Sequence, residues 1–141
     1  MKISTFFINS FSSGGITNIT PKDAYAIAQK GDSVIVDLRE RSFTAYKQLN
    51  VPKIIYCPIS LLPDNLELIP QNKAVILVDT AGIHSREAFV ILQNAGYGNI
   101  ANLAGGIVEW ERDGLPMKVD YMEQLDGSCT CQLKPRNRLK K

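Results

Sequence analysis

A short loop lies between two segments of opposite pattern, and its residues are Asp79, Thr80, Ala81, Gly82, Ile83 and His84. The continuous apolar run Ala74–Val78 before it predicts a strand buried on both faces of a sheet. The apolar spacing that follows Ser85 predicts an amphipathic helix that ends at Gly96. Such a loop directs backbone N–H groups and the positive end of a helix dipole at one small volume. That volume attracts an anion or lowers the pKa of a thiol, and Asp79 stands where a nucleophile would.

Asp79 has two interpretations. In the first, its carboxylate accepts hydrogen bonds from the N–H groups of its own loop and fills the anion site itself. In the second, Asp79 and His84 form an acid/base or metal pair. We favour the first, because two ligands are too few for a metal site and His84 is the only histidine in the chain. The pattern predicts no metal and no cofactor, and it predicts that His84 faces solvent beside Arg86.

A second chemical feature is the pair Cys129-Thr130-Cys131, in a polar segment near the end of the sequence. A Cys-x-Cys pair can supply half of a metal site, form a redox couple or carry sulfur, although two incidental thiols are an equally good interpretation. The third cysteine, Cys57, follows a predicted buried strand and is expected in the core. Three cysteines without a disulfide framework favour a reducing, cytoplasmic location.

Strand and helix patterns alternate along the chain. The predicted strands are Ile16–Ile19, Val34 to Val36, Ile54–Tyr56, Ala74–Val78 and Ile100–Leu103. Helices are predicted after the cap Thr20-Pro21, over 42–49, after Ser85 and over Gly106–Arg112, with a helical turn and loop over 58–70. This alternation predicts a three-layer α/β domain with a mainly parallel five-stranded sheet.

The carboxyl ends of parallel strands form the usual ligand edge of such a sheet. Asp37 and Arg39 follow one predicted strand and should therefore lie at the same edge as the loop. An ion pair that stabilises the junction between strand and loop is the favoured interpretation of these two residues, ahead of substrate contact.

Composition limits the function classes. The chain has 141 residues, a net charge of +2 and 45% hydrophobic residues, which suits one globular domain. No apolar run approaches the ~20 residues that span a bilayer. Residues 1–117 carry 10 basic and 11 acidic side chains, whereas residues 118–141 carry 6 and 3. The positive charge thus belongs to the tail, and the globular part gives no reason to expect a nucleic-acid partner.

Several segments together resemble the rhodanese-like domain family over about residues 16–117. The matching segments are Val34-Ile35-Val36-Asp37-Leu38-Arg39, Val51-Pro52 through Pro58, the loop from Asp79 to Ser85, Ala95-Gly96-Tyr97-Gly98-Asn99-Ile100, Leu103-Ala104-Gly105-Gly106-Ile107-Val108-Glu109-Trp110 and Gly114-Leu115-Pro116. The resemblance implies a domain in which a loop cysteine accepts sulfane sulfur and passes it, as a persulfide, to a thiophilic acceptor. A loop of six residues is the length of the sulfurtransferase branch, and the related phosphatases have one residue more.

This chain departs from the family pattern where the chemistry would occur. The resemblance places Asp79 at the persulfide cysteine, and Thr80 and His84 at the two arginines that often follow. The usual Gly-His before Ile-Pro is missing, and about three residues are inserted between Phe43 and Pro52. A carboxylate oxygen cannot carry sulfane sulfur, which needs a polarisable thiolate. Aspartate at this position is a pattern of the family's non-catalytic domains.

The sequence therefore predicts a lead-in over 1–15, a rhodanese-like domain over 16–117 and a basic tail over 118–141. The predicted function is a non-catalytic module that binds a protein partner or a small anion at the loop edge, as a monomer or weak dimer without a membrane span. The alternative is a sulfur-transfer or redox protein, similar to thiosulfate sulfurtransferases, that uses Cys129 or Cys131.

Overall fold

The computed structural model describes residues 10–13 and 15–120, which form a six-stranded sheet, a two-stranded sheet and four α-helices. The strands of the large sheet are β1 (Phe11–Ser13), β2 (Ile16–Ile19), β3 (Ser33–Asp37), β5 (Ile54–Tyr56), β6 (Ala74–Val78) and β7 (Ile100–Leu103). Their order is β1-β2-β7-β6-β3-β5, and only β1 is antiparallel to its neighbour. All five predicted strands are present and form the parallel part of the sheet.

The helices cover both faces of this sheet, and they are α1 (Pro21–Ala28), α2 (Arg41–Tyr46), α3 (Ser85–Asn94) and α4 (Gly106–Arg112). Two 3-10 segments, Ile59–Asp64 and Leu66–Leu68, occupy the region where a helical turn and loop were predicted. Thr20 caps α1 as expected, because its Oγ1 accepts a hydrogen bond from the N–H of Asp23. None of the helices in residues 10–13 and 15–120 is long and apolar enough to cross a membrane.

Alternate residues of β6 face two separate cores. Ile76 packs in one cluster with Trp110, and Leu77 packs in the other with Leu92. All five residues of β6 are buried, as the apolar run predicted. Each fully buried side chain of this size stabilises the fold by about 1.5–3 kcal/mol. The three-layer α/β architecture predicted from the sequence is confirmed.

Two parts of the fold differ from the prediction. The helix predicted over 42–49 ends at Tyr46, and Lys47–Leu49 forms strand β4, which pairs antiparallel with β8 (Met117–Val119). The local pattern was too weak to hold the helix against this long-range pairing. Strand β1 lies within the predicted lead-in and pairs antiparallel with β2, so the large sheet has six strands and not the predicted five. Strand β8 continues beyond the predicted domain end at 117. The domain bounds themselves stay predictions.

Candidate functional site

The loop after β6 is organised around the side chain of Asp79, which is 5% exposed. Its Oδ1 accepts a hydrogen bond from the N–H of Gly82. Its Oδ2 accepts hydrogen bonds from the N–H of His84 at 2.6 Å and from that of Ser85 at 3.2 Å. Because Ser85 is the first residue of α3, the carboxylate also lies at the positive end of that helix. The predicted hydrogen bonds between Asp79 and the amides of its loop are confirmed.

The start of α4 is hydrogen-bonded to the main chain of the same loop. The N–H of Ile107 donates to the carbonyl oxygen of Asp79 at 2.9 Å, and the N–H of Val108 donates to that of Thr80 at 3.0 Å. Gly106 makes this approach possible, since it has a φ of +61° and a Cβ there would overlap both carbonyl groups. The Gly-Gly pair in the sequence therefore marks a close contact between two backbones.

Asp37 and Arg39 form the predicted ion pair at the end of β3. Arg39 Nη2 lies 2.8 Å from Asp37 Oδ2, and Arg39 Nε lies 3.0 Å from Asp37 Oδ1. Both residues are buried, and Nη2 also donates to the carbonyl oxygen of Lys47 at 2.6 Å. The guanidinium group of Arg39 is thus bound within the protein, and this agrees with the interpretation of Asp37 and Arg39 as a structural pair.

Sequence reasoning missed a series of buried polar side chains that are hydrogen-bonded to one another behind the loop. The hydroxyl of Ser85 donates to Asn102 Oδ1, and Asn102 Nδ2 donates to Asn18 Oδ1 at 2.8 Å. Asn18 and Asn102 are register partners in β2 and β7. The last hydrogen bond of this series runs from Asn18 Nδ2 to the carbonyl oxygen of Ile16, at 2.9 Å. An asparagine inside each of two apolar strands was the signal that could have revealed it.

A cavity of about 450 Å³, called the loop cavity below, opens between the loop and α2. Its lining includes Leu38, Arg39, Phe43, Ile59, Asp79, Thr80, Ile83 and His84. Phe43 and Ile83 are 55% and 68% exposed, so apolar side chains stand at the rim beside the exposed carboxylate of Glu40. His84 is exposed, as predicted, and its backbone N–H donates to Asp79 within the loop.

Thiol chemistry and metal binding have little support in the described residues. Cys57, the one cysteine among them, is 3% exposed, and burial raises the pKa of its thiol, with a further contribution from the charge of Glu67. Its predicted place in the core is confirmed. Residues 10–13 and 15–120 contain no group of three or more His, Cys, Asp or Glu side chains that could hold a metal ion. Cys129 and Cys131 lie outside the described residues.

Known proteins are similar to this chain in sequence and in fold. Residues 20–113 match the family described as rhodanese-like domain. A sulfurtransferase of Allochromatium vinosum is 34% identical over 91 residues, which cover 64% of this chain and 83% of the relative. The thiosulfate sulfurtransferase GlpE of Actinobacillus succinogenes is 28% identical over 105 residues, which cover 74% of this chain and 93% of that protein.

Two solved structures show the same fold. The rhodanese-related protein of Thermoplasma volcanium aligns with a TM-score of 0.65 at 24% identity and covers 73% of this chain and 98% of its own. A rhodanese-like domain from Anabaena aligns with a TM-score of 0.67 at 16% identity and covers 88% and 92%. At these identities the likeness concerns the fold alone. The family match, which spans more than half of the sequence, carries the assignment: the chain belongs to the rhodanese-like domain family and is related to sulfurtransferases.

Proposed function

We propose that this chain is a non-catalytic rhodanese-like domain that binds a protein partner or a small anion at its loop edge. One observation supports this most directly: the carboxylate of Asp79 accepts hydrogen bonds from three backbone N–H groups of the loop. In the family pattern this position belongs to a cysteine whose thiolate carries sulfur. A carboxylate in that place satisfies the same donors, but its oxygen atoms cannot hold sulfane sulfur.

The surroundings of Asp79 also favour binding over sulfur transfer. Thr80 and His84 stand where the family often has arginines, and Arg39 is held by Asp37. The loop cavity therefore offers few cations to an anionic sulfur donor. Its exposed apolar side chains, Phe43 and Ile83, are typical of a surface that contacts another protein. A cytoplasmic location belongs to this proposal, and it rests on the cysteine pattern.

The second candidate function is sulfur transfer through the tail. Its support is the relationship to sulfurtransferases, together with the burial of Cys57. A buried thiol with a raised pKa is a poor nucleophile at neutral pH. If this chain carries a persulfide, we therefore expect it on Cys129 or Cys131.

A thiosulfate:cyanide sulfurtransferase assay on the full chain, with mass spectrometry after thiosulfate treatment, tests both functions. We expect no turnover and no persulfide. Turnover that disappears in the Cys129→Ser/Cys131→Ser variant and survives in the Cys57→Ser variant would replace the first proposal with the second. Turnover that survives both variants would contradict both candidates.

A further inference from the structure

A cavity of about 480 Å³, called the second cavity below, is lined by a different face of α2 from the loop cavity. The helix contributes Arg41 and Ala45 to the second cavity and Phe43 to the loop cavity. Arg39 is the one described residue that lines both. The volume of the second cavity lies in the range of small-molecule sites, which is about 300–1,000 Å³. It is therefore a separate candidate site.

The second cavity carries a positive charge that the described residues do not balance. Two arginines and no carboxylate line it within the described part of the chain. Arg39 is balanced by Asp37, whereas Arg41 is exposed and belongs to none of the ion pairs formed within 10–13 and 15–120. Glu40, which precedes Arg41, lines the loop cavity instead. The second cavity thus offers one cation, which matches a ligand with a single negative charge.

Two further hydrogen-bond donors line the second cavity. Neither the hydroxyl of Tyr56 nor the side-chain amide of Gln48 forms a hydrogen bond with another residue that the structure describes. Burial raises the pKa of Tyr56, and the charge of Asp37, its register partner in β3, raises it further, whereas Arg39 lowers it. The hydroxyl therefore keeps its proton at neutral pH and can donate a hydrogen bond.

Apolar surface borders these donors. Tyr56 and Leu61 are 40% and 52% exposed, and Ala45 and Pro58 complete the apolar part of the lining. Sites for small organic molecules combine apolar walls with a few polar groups that fix the orientation of the ligand. The planar guanidinium group of an arginine matches the two oxygen atoms of a carboxylate. A carboxylate with an apolar carbon skeleton therefore fits both parts of the second cavity.

We propose that the second cavity binds a small organic acid with one carboxylate and an apolar or aromatic body. Arg41 binds the carboxylate, and Tyr56 and Gln48 donate further hydrogen bonds to it. The apolar body packs against Leu61 and Pro58. This site goes beyond the proposed function and does not depend on the chemistry of the Asp79 loop.

An NMR titration of the full chain with phenylacetate tests the proposal. We expect saturable shifts of the Leu61 and Ala45 methyl signals at millimolar concentrations. Phenylacetamide, which has the same ring and no charge, should bind at least about tenfold more weakly, because hydrogen bonds to charged groups are the stronger ones. Acetate should also bind at least about tenfold more weakly, because it has no ring to bury.

Three outcomes of this titration would overturn the proposal. The first is equal affinity for phenylacetate and phenylacetamide, which would show that the charge is not recognised. The second is the absence of shifts at Leu61. The third is a set of shifts confined to Ile83, which would place the anion in the loop cavity and leave the proposed function standing.

Two variants test the donors. Arg41→Gln should weaken the binding of phenylacetate at least about tenfold and leave that of phenylacetamide unchanged, which separates the loss of charge from a change in the fold. Arg112→Gln is the matched control, because Arg112 is exposed outside the second cavity, and it should change neither affinity. Tyr56→Phe should weaken the binding of phenylacetate at least about threefold. Unchanged binding of phenylacetate in either cavity variant would contradict the proposal. Tighter binding of phenyl phosphate than of phenylacetate would contradict the assignment of a singly charged ligand.

Discussion

Two aspartates lie at the same edge of the sheet, Asp37 at the end of β3 and Asp79 directly after β6. Their negative charges are balanced by different groups. Asp37 is the register partner of Val78, so Asp37 and Asp79 are neighbours across two adjacent strands. A side-chain cation, Arg39, balances Asp37, whereas backbone N–H groups and the start of α3 balance Asp79. In the first arrangement, two side chains of the protein neutralise each other. The second leaves a set of donors that another anion could use if the carboxylate were absent.

Removal of the Arg39 side chain should lower the free energy of unfolding more than the other changes below. Arg39→Ala leaves Asp37, which is fully buried, without its partner, and we expect a loss of about 3–5 kcal/mol in the free energy of unfolding. Urea denaturation measures it. Arg112→Ala is the matched control, because its pair with Glu109 is exposed and should contribute about 0–1 kcal/mol. Similar losses in the two variants would show that burial does not distinguish these pairs.

A change at Gly106, where α4 contacts the Asp79 loop, should lower the free energy of unfolding by nearly as much. Gly106→Ala combines a left-handed backbone with a clash against the carbonyl groups of Asp79 and Thr80, and we expect a loss of about 2–4 kcal/mol. Gly114→Ala is the control, since Gly114 also has a positive φ but has open space around it. That variant should lose only about 1–2 kcal/mol. An equal loss in both would mean that the close approach of α4 contributes nothing.

An added anion should distinguish the two aspartates. In Asp79→Ala the loop amides lose their acceptor, so sulfate should bind there and raise the free energy of unfolding, by about 2.7 kcal/mol at one hundred times its Kd. The original chain and Asp37→Ala/Arg39→Ala, which leaves no arginine unpaired at this edge, should gain much less, with sodium chloride at equal ionic strength as the reference. Thermal denaturation across a sulfate series measures the difference. A gain of the same size in all three proteins would refute the idea that Asp79 fills an anion site.

The smallest expected effect concerns the side chains around position 79. Asp79→Cys should transfer sulfur at least about tenfold more slowly than Asp79→Cys/Thr80→Arg/His84→Arg, because one charge-assisted hydrogen bond to the donor anion contributes about 1.5–3 kcal/mol. The thiosulfate:cyanide assay compares them. Equal rates would show that the arginines are dispensable and that the backbone of this loop suffices.

The sequence predicted those features that depend on local pattern. The apolar run of β6 and the Thr20 cap of α1 are confirmed, as are the hydrogen bonds of Asp79 with its loop. Strand β4 was missed, because Lys47–Leu49 becomes a strand only through pairing with β8, about seventy residues later. The link from Asn18 to Asn102 was missed for the same reason, since it depends on the register of β2 and β7.

The way α4 holds the loop has a consequence for how this domain can change over generations. The helix grips Asp79 and Thr80 through their main-chain oxygen atoms, and those atoms are common to every amino acid. These two main-chain hydrogen bonds are therefore open to any side chain at position 79, whereas the bonds to the carboxylate are specific to aspartate. The anchor between the loop and α4 thus tolerates exchange of the one side chain that decides what this loop can bind or react with.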